Sequence, residues 1–278
     1  MRIAIASGKG GTGKTSVALN LAISVNADVI LDCDVEAPNL HIFFKPHWDL
    51  EETVFVKTPV INGSKCDLCG KCVEFCNYNA LAKLRDRVIF FSHLCHSCGG
   101  CSIICDRGAI SEVDRPVGIL RYARVGNMDF WEGRLNYGES LAPVVISALK
   151  EKAKDGTIVM DSPPGNTCPM VETVIDSDFA ILVTEPTPFG FSDLKLAVDV
   201  VRKLGIPFGV VINKDGLGDD RVERYCESEG IEILMRIPYS MRLASAYARG
   251  GTWVELFPEM RGKFLGLFEA VRKRCLRR

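Results

Sequence analysis

Two absences narrow the reading first. The chain has no run of about 18 consecutive apolar residues, so no stretch has the length and character to span a bilayer. A surplus of one charge is also missing: 34 Lys and Arg stand against 35 Asp and Glu, a net charge of −1. That argues against attraction of the whole protein to nucleic acid. The polar share is too small for a disordered chain, since 47% of the residues are hydrophobic. Strand and phosphate-loop patterns begin at the first residues, leaving no room for a cleaved targeting peptide, and the cytosol is the expected compartment. Cysteine, by contrast, is abundant. Eight of the 12 cysteines fall in two short clusters, a pattern of metal ligation rather than of a secreted disulfide framework. A length of 278 residues suits one large α/β domain, or one such domain carrying a small insertion.

The apolar run Ile3–Ala6 is followed by Gly8-Lys9-Gly10-Gly11-Thr12-Gly13-Lys14-Thr15 and Ser16. This fits G-x-x-x-x-G-K-[ST] between a first strand and a first helix, with Val17, Leu19, Leu21, Ala22 and Val25 at helical period. Glycines leave backbone N–H groups free to curl around anionic oxygens at a helix N-terminus. Lys14 would reach the outer phosphates and the Thr15 hydroxyl would ligate Mg²⁺. Further strands are expected near 28–31, 53–60, 118–123, 157–160, 179–184, 208–212 and 232–235. Helices are expected near 141–152, 191–204, 219–228 and 242–248. Apolar strands alternating with helical periods predict an α/β fold, a mostly parallel sheet with helices on both faces. Asp32-Cys33-Asp34 through Asn39, and Val159-Met160-Asp161, stand at strand ends, where open α/β sheets bind ligands.

Between 62 and 112 the character changes. Cys66-x2-Cys69-x2-Cys72-x3-Cys76 recurs as Cys95-x2-Cys98-x2-Cys101-x3-Cys105. Structural zinc is the rival reading, although zinc sites usually pair two Cys-x2-Cys arms across a longer spacer. The spacing resembles that of bacterial two-cluster ferredoxins, in which the fourth cysteine of each run ligates the other cluster. The resemblance implies one 4Fe–4S cluster on Cys66, Cys69, Cys72 and Cys105, and a second on Cys95, Cys98, Cys101 and Cys76. The proline that commonly follows the fourth cysteine is replaced by Asn77 and Asp106. His93 and His96 are read as neighbours of the clusters rather than ligands.

With Lys9 near its start, the loop reads Lys-Gly-Gly-x-Gly-Lys-Thr, which resembles the deviant Walker A motif of the MinD, ParA and nitrogenase-iron-protein superfamily. The resemblance implies that Lys9 reaches the partner's nucleotide in an ATP-driven homodimer. It implies too that Asp34 orients the attacking water, that Asn39 helps close the site and that Asp161 holds Mg²⁺ through water. Asn213 and the stretch Pro238-Tyr239-Ser240 match its base-recognition positions. For Asp34, helix capping is the bland alternative. Gly216 stands where a G protein's Asn-Lys-x-Asp pattern requires aspartate, so ATP is expected rather than GTP. Thr184-Glu185-Pro186-Thr187-Pro188 reads as interface or switch-contact loop, or equally as buried scaffolding.

The expected organisation is therefore a P-loop ATPase domain, residues 1–61 and 113–278, with an inserted α+β ferredoxin-like domain at 62–112. The expected function is an ATPase coupling nucleotide state to electron transfer or metal-cofactor assembly. Its cofactors would be ATP, Mg²⁺ and two 4Fe–4S clusters, and its partner a redox or metal-cofactor protein. The alternatives are a MinD- or ParA-like spatial organiser with the clusters as redox sensor, and a plain electron carrier. Cys168, near the start of a helix after Asp161, reads either as a metal-touching switch cysteine or as a small packed residue. Cys33, Cys226 and Cys275 read as filler. The basic segment 261–278 carries Phe264, Leu267, Phe268 and Val271 at helical spacing. It is expected to pack on the sheet, with membrane contact as the less favoured reading.

Overall fold

In this computed structural model, which describes residues 1–276, the chain divides into two compact units. The larger comprises residues 1–51, 120–134 and 143–278. Its first strand β1 (Arg2–Ala6) is almost wholly buried and leads through the glycine loop into α1 (Lys14–Val25). β2 (Val29–Asp32) and the short α2 (His41–Phe44) follow, and then the long β3 (Leu50–Ile61), whose residues from 52 on belong to the smaller unit. After the smaller unit, β6 (Ile110–Val125) and β7 (Met128–Leu135) return the chain to the larger one. The remaining elements are α5 (Ala142–Lys150), β8 (Ile158–Asp161), α6 (Cys168–Val174), β9 (Phe179–Thr184), α7 (Pro188–Lys203) and β10 (Phe208–Asp215). They close with α8 (Arg221–Ser228), β11 (Ile233–Pro238), α9 (Met241–Ala248), α10 (Trp253–Leu256) and α11 (Glu259–Cys275).

The sheet runs β11-β10-β9-β1-β8-β2-β7-β6-β3, and every pairing from β11 to β7 is parallel. β1, β8, β2 and β9 read as continuous apolar runs because helices cover both faces of a parallel sheet. α1 is buried nearly all round, so its sequence shows little amphipathic contrast. It packs against α11, where Phe264, Leu267 and Val271 are buried in the core shared with Val17, Leu21 and Phe179. The apolar face of the basic C-terminal helix is thus occupied by the sheet and α1. No helix among the described residues is long and apolar enough to cross a membrane.

β6 and β7 differ from the sequence expectation. The strand expected at 118–123 extends over the whole of β6, and β7 was not expected at all. Its apolar alternation is broken by Asp129, Glu132 and Arg134. Glu132 is nevertheless fully buried. Its carboxylate is met by His41 Nδ1 at 2.6 Å and faces Arg134 at 3.5 Å. A buried charge is tolerable only with such partners, and local sequence does not reveal them.

The smaller unit, residues 52–119 and 135–142, holds α3 (Lys71–Phe75), β4 (Leu81–Lys83), β5 (Val88–Phe90) and α4 (Gly100–Ile103). β4 and β5 pair antiparallel, with Leu81 opposite Phe90. Its exposed apolar side chains, among them Phe75, Tyr78 and Ile103, reflect how little core so small a unit can build.

Candidate nucleotide site and cysteine cradles

The glycine loop owes its shape to contacts at both ends. Gly11 and Gly13 lie at φ 78° and 97°, the left-handed region that other residues avoid. A Cβ on Gly13 would also collide with the side-chain amide of Asn213. That amide donates to the Thr12 carbonyl at 2.8 Å, and its oxygen accepts from Lys214 N–H at 2.9 Å. Asn213 therefore clamps the loop, a role that its expected reading of a base did not include. α1 begins at Lys14 with no side-chain cap. Its first N–H groups have no partner within the helix and suit an anion.

A cavity of about 350 Å³ opens above this loop. Gly10, Gly11, Gly13, Lys14, Thr15 and Ser16 line one side, and Asp34, Asn39 and Pro164 another. Asn213, Lys214, Pro238 and Tyr239 complete the set expected from sequence. Ser240, expected together with Pro238 and Tyr239, lines it too, and Leu243, Ala244, Tyr247 and Trp253 line it without having been expected there. Three of the unexpected ones, at 243, 244 and 247, share one helical face, the periodic signal that could have found them. The wall they form is tied to α1, since Asn20 Oδ1 accepts from Val254 N–H at 3.0 Å and Trp253 Nε1 donates to the Leu243 carbonyl at 3.1 Å.

Acidic groups gather at the strand ends. Asp32 on β2 lies opposite Asp161 on the parallel neighbour β8, and both are fully buried. Asp32 accepts from the Asn39 and Leu40 N–H groups at 2.9 Å each, which folds the 34–40 segment back over the site. Burial raises its pKa well above the ordinary carboxylate range, and Asp161 raises it further. Asp161 is pushed up to about 7 by burial, against the opposing pull of Thr15 and Lys14. Asp34 is raised by burial and held back by Lys14. Desolvation lowers the pKa of Lys14, which Asp161 and Asp34 partly offset. Helix capping does not explain Asp34, because the next helix begins at His41 with Leu40 at its cap.

Several buried polar atoms lack a hydrogen-bond partner: both carboxyl oxygens of Asp161, Asn39 Oδ1 and Thr12 Oγ1. Unpaired buried oxygens are costly unless a ligand completes them. Asp161 together with the Thr15 hydroxyl supplies the hard oxygen donors that Mg²⁺ prefers, so the residues fit a magnesium–nucleotide.

Lys9, Thr12 and Asp161 do not line the cavity. Lys9 Nζ is bonded to Glu185 Oε1, while Lys214 Nζ reaches Glu185 Oε2 at 2.8 Å and the Gly11 carbonyl at 2.9 Å. Burial opposes ionisation of Glu185, yet Lys214 and Lys9 hold its carboxyl below the usual range. The loop after β8 is joined to the glycine loop by Gly165 N–H donating to the Ser7 carbonyl at 3.1 Å. Cys168 opens α6 and is exposed. Lys150 on α5 secures the other end of that helix, donating to the Glu172 and Ile175 carbonyls at 2.6 and 2.8 Å. Cys33 and Cys226 are buried, and Cys275 is partly exposed.

In the smaller unit the cysteines form two groups. Cys66, Cys69, Cys72 and Cys105 surround a narrow hollow of about 20 Å³, and Cys76, Cys95, Cys98 and Cys101 one of about 270 Å³. The two halves repeat at an offset of 29 residues in backbone as well as in sequence. Leu68 and Ser97 share a positive φ (59° and 55°), as do Asn79 and Gly108 (53° and 55°). Ala80 N–H donates to Cys76 Sγ and Ala109 N–H to Cys105 Sγ, both at 3.4 Å. Phe91 N–H bonds the Ala80 carbonyl and Asn62 N–H the Ala109 carbonyl, both at 2.8 Å. Burial raises the Cys72 thiol, with Cys66 and Cys105 adding to it. Burial likewise pushes Cys101 up to about 11, with Cys95 and Cys98 adding. Four thiols around one hollow form a donor set that suits an iron–sulfur cluster, although the narrower hollow would have to open to admit one. Among the described residues no three His, Cys, Asp or Glu side chains converge closely enough to hold a single metal ion. His93 and His96 are exposed, and His96 stacks on Tyr78 with ring centres 3.7 Å apart.

Known proteins share this architecture. An uncharacterized protein of Methanocaldococcus jannaschii is 31% identical over 262 residues, covering 92% of each chain. An iron-sulfur cluster carrier protein of Pyrococcus horikoshii is 25% identical over 271 residues, covering 88% of this chain and 76% of its own. The cell division ATPase MinD of Pyrococcus furiosus superposes with a TM-score of 0.61 at 20% identity, covering 98% of each chain, a likeness of fold. The family described as the CobQ/CobB/MinD/ParA nucleotide binding domain matches residues 3–253, the span that contains the glycine loop, both acidic strand ends and the α9 wall of the cavity. The chain belongs to that family and is a MinD/ParA-like P-loop ATPase.

Proposed function

We propose that this ATPase pairs with a second copy of itself on binding ATP and couples that change to electron delivery or metal-cluster handling by two 4Fe–4S clusters in the smaller unit. The observation that carries the reading is the 29-residue repeat, in which each half lends its fourth cysteine to the other half's hollow. A cubane is a body of several atoms, so its thiolates stand apart around it rather than converge on one point. The name of the Pyrococcus horikoshii relative, an iron-sulfur cluster carrier, points the same way. Hydrolysis would follow the superfamily's plan. Water attacks the γ-phosphorus, a new P–O bond forms and the bond to the β–γ bridging oxygen breaks, leaving ADP and phosphate. Asp34 orients that water, Lys14 and the N–H groups at the start of α1 hold the phosphates, and Lys9 of each subunit serves the other's nucleotide. Mg²⁺, held by Thr15 and, through water, by Asp161, would neutralise charge on the phosphates. The γ-phosphate keeps the two loops after β2 and β8 in one state, and its loss releases them.

Anaerobic purification followed by iron and sulfide analysis tests the cluster content, with about eight irons per chain expected. EPR spectra of the reduced protein should change on addition of Mg-ATP. Spectra indifferent to nucleotide would remove the coupling. The likeness of fold to MinD favours a second reading, a spatial organiser with the clusters as redox sensor. ATP-dependent flotation with anionic liposomes would support it, although the apolar face of α11 is taken up by the core.

A further inference from the structure

Glu185 occupies an unusual position. It follows β9 in the middle of the parallel sheet, and its side chain is only 11% exposed. Two lysines from distant loops meet on its two carboxyl oxygens, Lys9 from the glycine loop and Lys214 from the end of β10. Thr187, the N-cap of α7, adds a bond from its hydroxyl to Oε1 at 3.2 Å, which fixes the carboxylate's direction. Gly190 is required beside it, because a Cβ there would run into the Glu185 backbone and side chain. Lys214 is anchored independently of Glu185 through the Gly11 carbonyl, and its left-handed backbone (φ 56°) directs the side chain back to the loop. Among the described residues Lys9 Nζ meets no second acceptor, and its side chain is 26% exposed. The carboxylate thus has one permanent counter-ion and one that can leave.

We propose that Glu185 is an internal latch that holds Lys9 within its own subunit, so that ATP-driven pairing requires Lys9 to be exchanged from Glu185 to the partner's phosphates. This rests on the reading of Lys9 as a residue that serves the second subunit. The exchange is balanced in charge. Lys9 leaves one anion for another, and Glu185 stays neutralised by Lys214, so no bare carboxylate is left buried. The latch sets the ATP level at which two subunits pair, and it keeps Lys9 from meeting a nucleotide when ADP or nothing is bound.

The test uses the full chain purified anaerobically, with sedimentation velocity over a titration of a non-hydrolysable ATP analogue. Glu185→Gln should shift half-maximal dimerisation to about tenfold lower analogue, the size of a partly buried charged hydrogen bond. The ADP affinity of the monomer should not move. In Lys9→Ala/Glu185→Gln the gain should vanish, because the latch has nothing left to hold. Should Glu185→Gln fail to fold, Glu185→Asp keeps the charge near Lys214 but shortens the arm toward Lys9, and should shift the midpoint in the same direction. An unchanged or higher midpoint in the single variant overturns the latch. Lys9→Ala alone separates the two failures. If it dimerises and hydrolyses ATP like the native chain, both the trans role and the latch fall. If it is defective while Glu185→Gln is unchanged, the latch alone falls.

Discussion

At the scale of single residues, the site is built from groups that burial would normally exclude. Asp32, Asp34 and Asp161 crowd the ends of two adjacent parallel strands, and Lys14 is the cation among them. Asp32 is consumed by backbone N–H groups of the segment it folds, whereas Asp34 remains half-exposed beside the cavity. Replacing Asp34 by Asn keeps the shape and removes the acceptor charge. Turnover should fall by about 10²–10⁴-fold, the usual contribution of a positioned acid or base, while fluorescent-nucleotide affinity stays near native. Phosphate release at the native rate would remove Asp34 from the water-orienting role. These residues were legible because each sits at a fixed offset from a strand end or in the loop motif itself. The Lys9–Glu185–Lys214 bridge was not. Its members are up to 205 positions apart in sequence (Lys9 to Lys214), and only the strand order β10-β9-β1 sets them side by side.

At the scale of elements, α11 decides between two readings that its sequence left open. A basic helix with apolar residues at i, i+3 and i+7 can lie on a membrane surface or close a protein core, and packing on the sheet was the favoured reading. Phe264, Leu267 and Val271 lie in the core against α1. Phe264→Ala should therefore cost about 3–5 kcal/mol of stability, as large core truncations do, read as a lowered denaturation midpoint. A stability unchanged by that substitution would mean that the helix is not part of the core in solution. β7 shows the opposite case. Its buried Glu132 is carried by compensating partners, His41 and Arg134, that only the fold supplies.

At the scale of the whole molecule, the smaller unit is organised as a repeat whose halves are interdependent. Cys76 belongs to the hollow of the second run and Cys105 to that of the first. Under the proposed ligation, removing one cysteine from each hollow should abolish both clusters, while removing two from one hollow should abolish only one. Cys76→Ser combined with Cys95→Ser should retain about four irons per chain, and Cys76→Ser with Cys66→Ser about none. Equal iron in the two double variants would overturn the crossed arrangement. In both halves the turn after the fourth cysteine, where ferredoxins commonly carry a proline, is closed by a left-handed residue three places on, Asn79 or Gly108, and by an N–H···Sγ bond.

The sequence by itself determined the class of fold, the phosphate loop and the two cysteine runs. Each of these is a local pattern whose chemistry depends on spacing along the chain. Glycines admit a left-handed backbone, apolar runs need burial on both sides, and Cys-x2-Cys-x2-Cys places three thiols in one short loop. Tertiary structure alone decided which residues from separate loops share one ion. It brought Asn213 to the Thr12 carbonyl, gave the carboxylate of Glu185 to Lys9 and Lys214, and set the face of α9 as the wall of the cavity. The physical reason is the same in each case. Hydrogen bonds and ion pairs reach only a few ångströms, and which distant residues come within that reach is fixed by strand order and helix packing, not by neighbours in the chain.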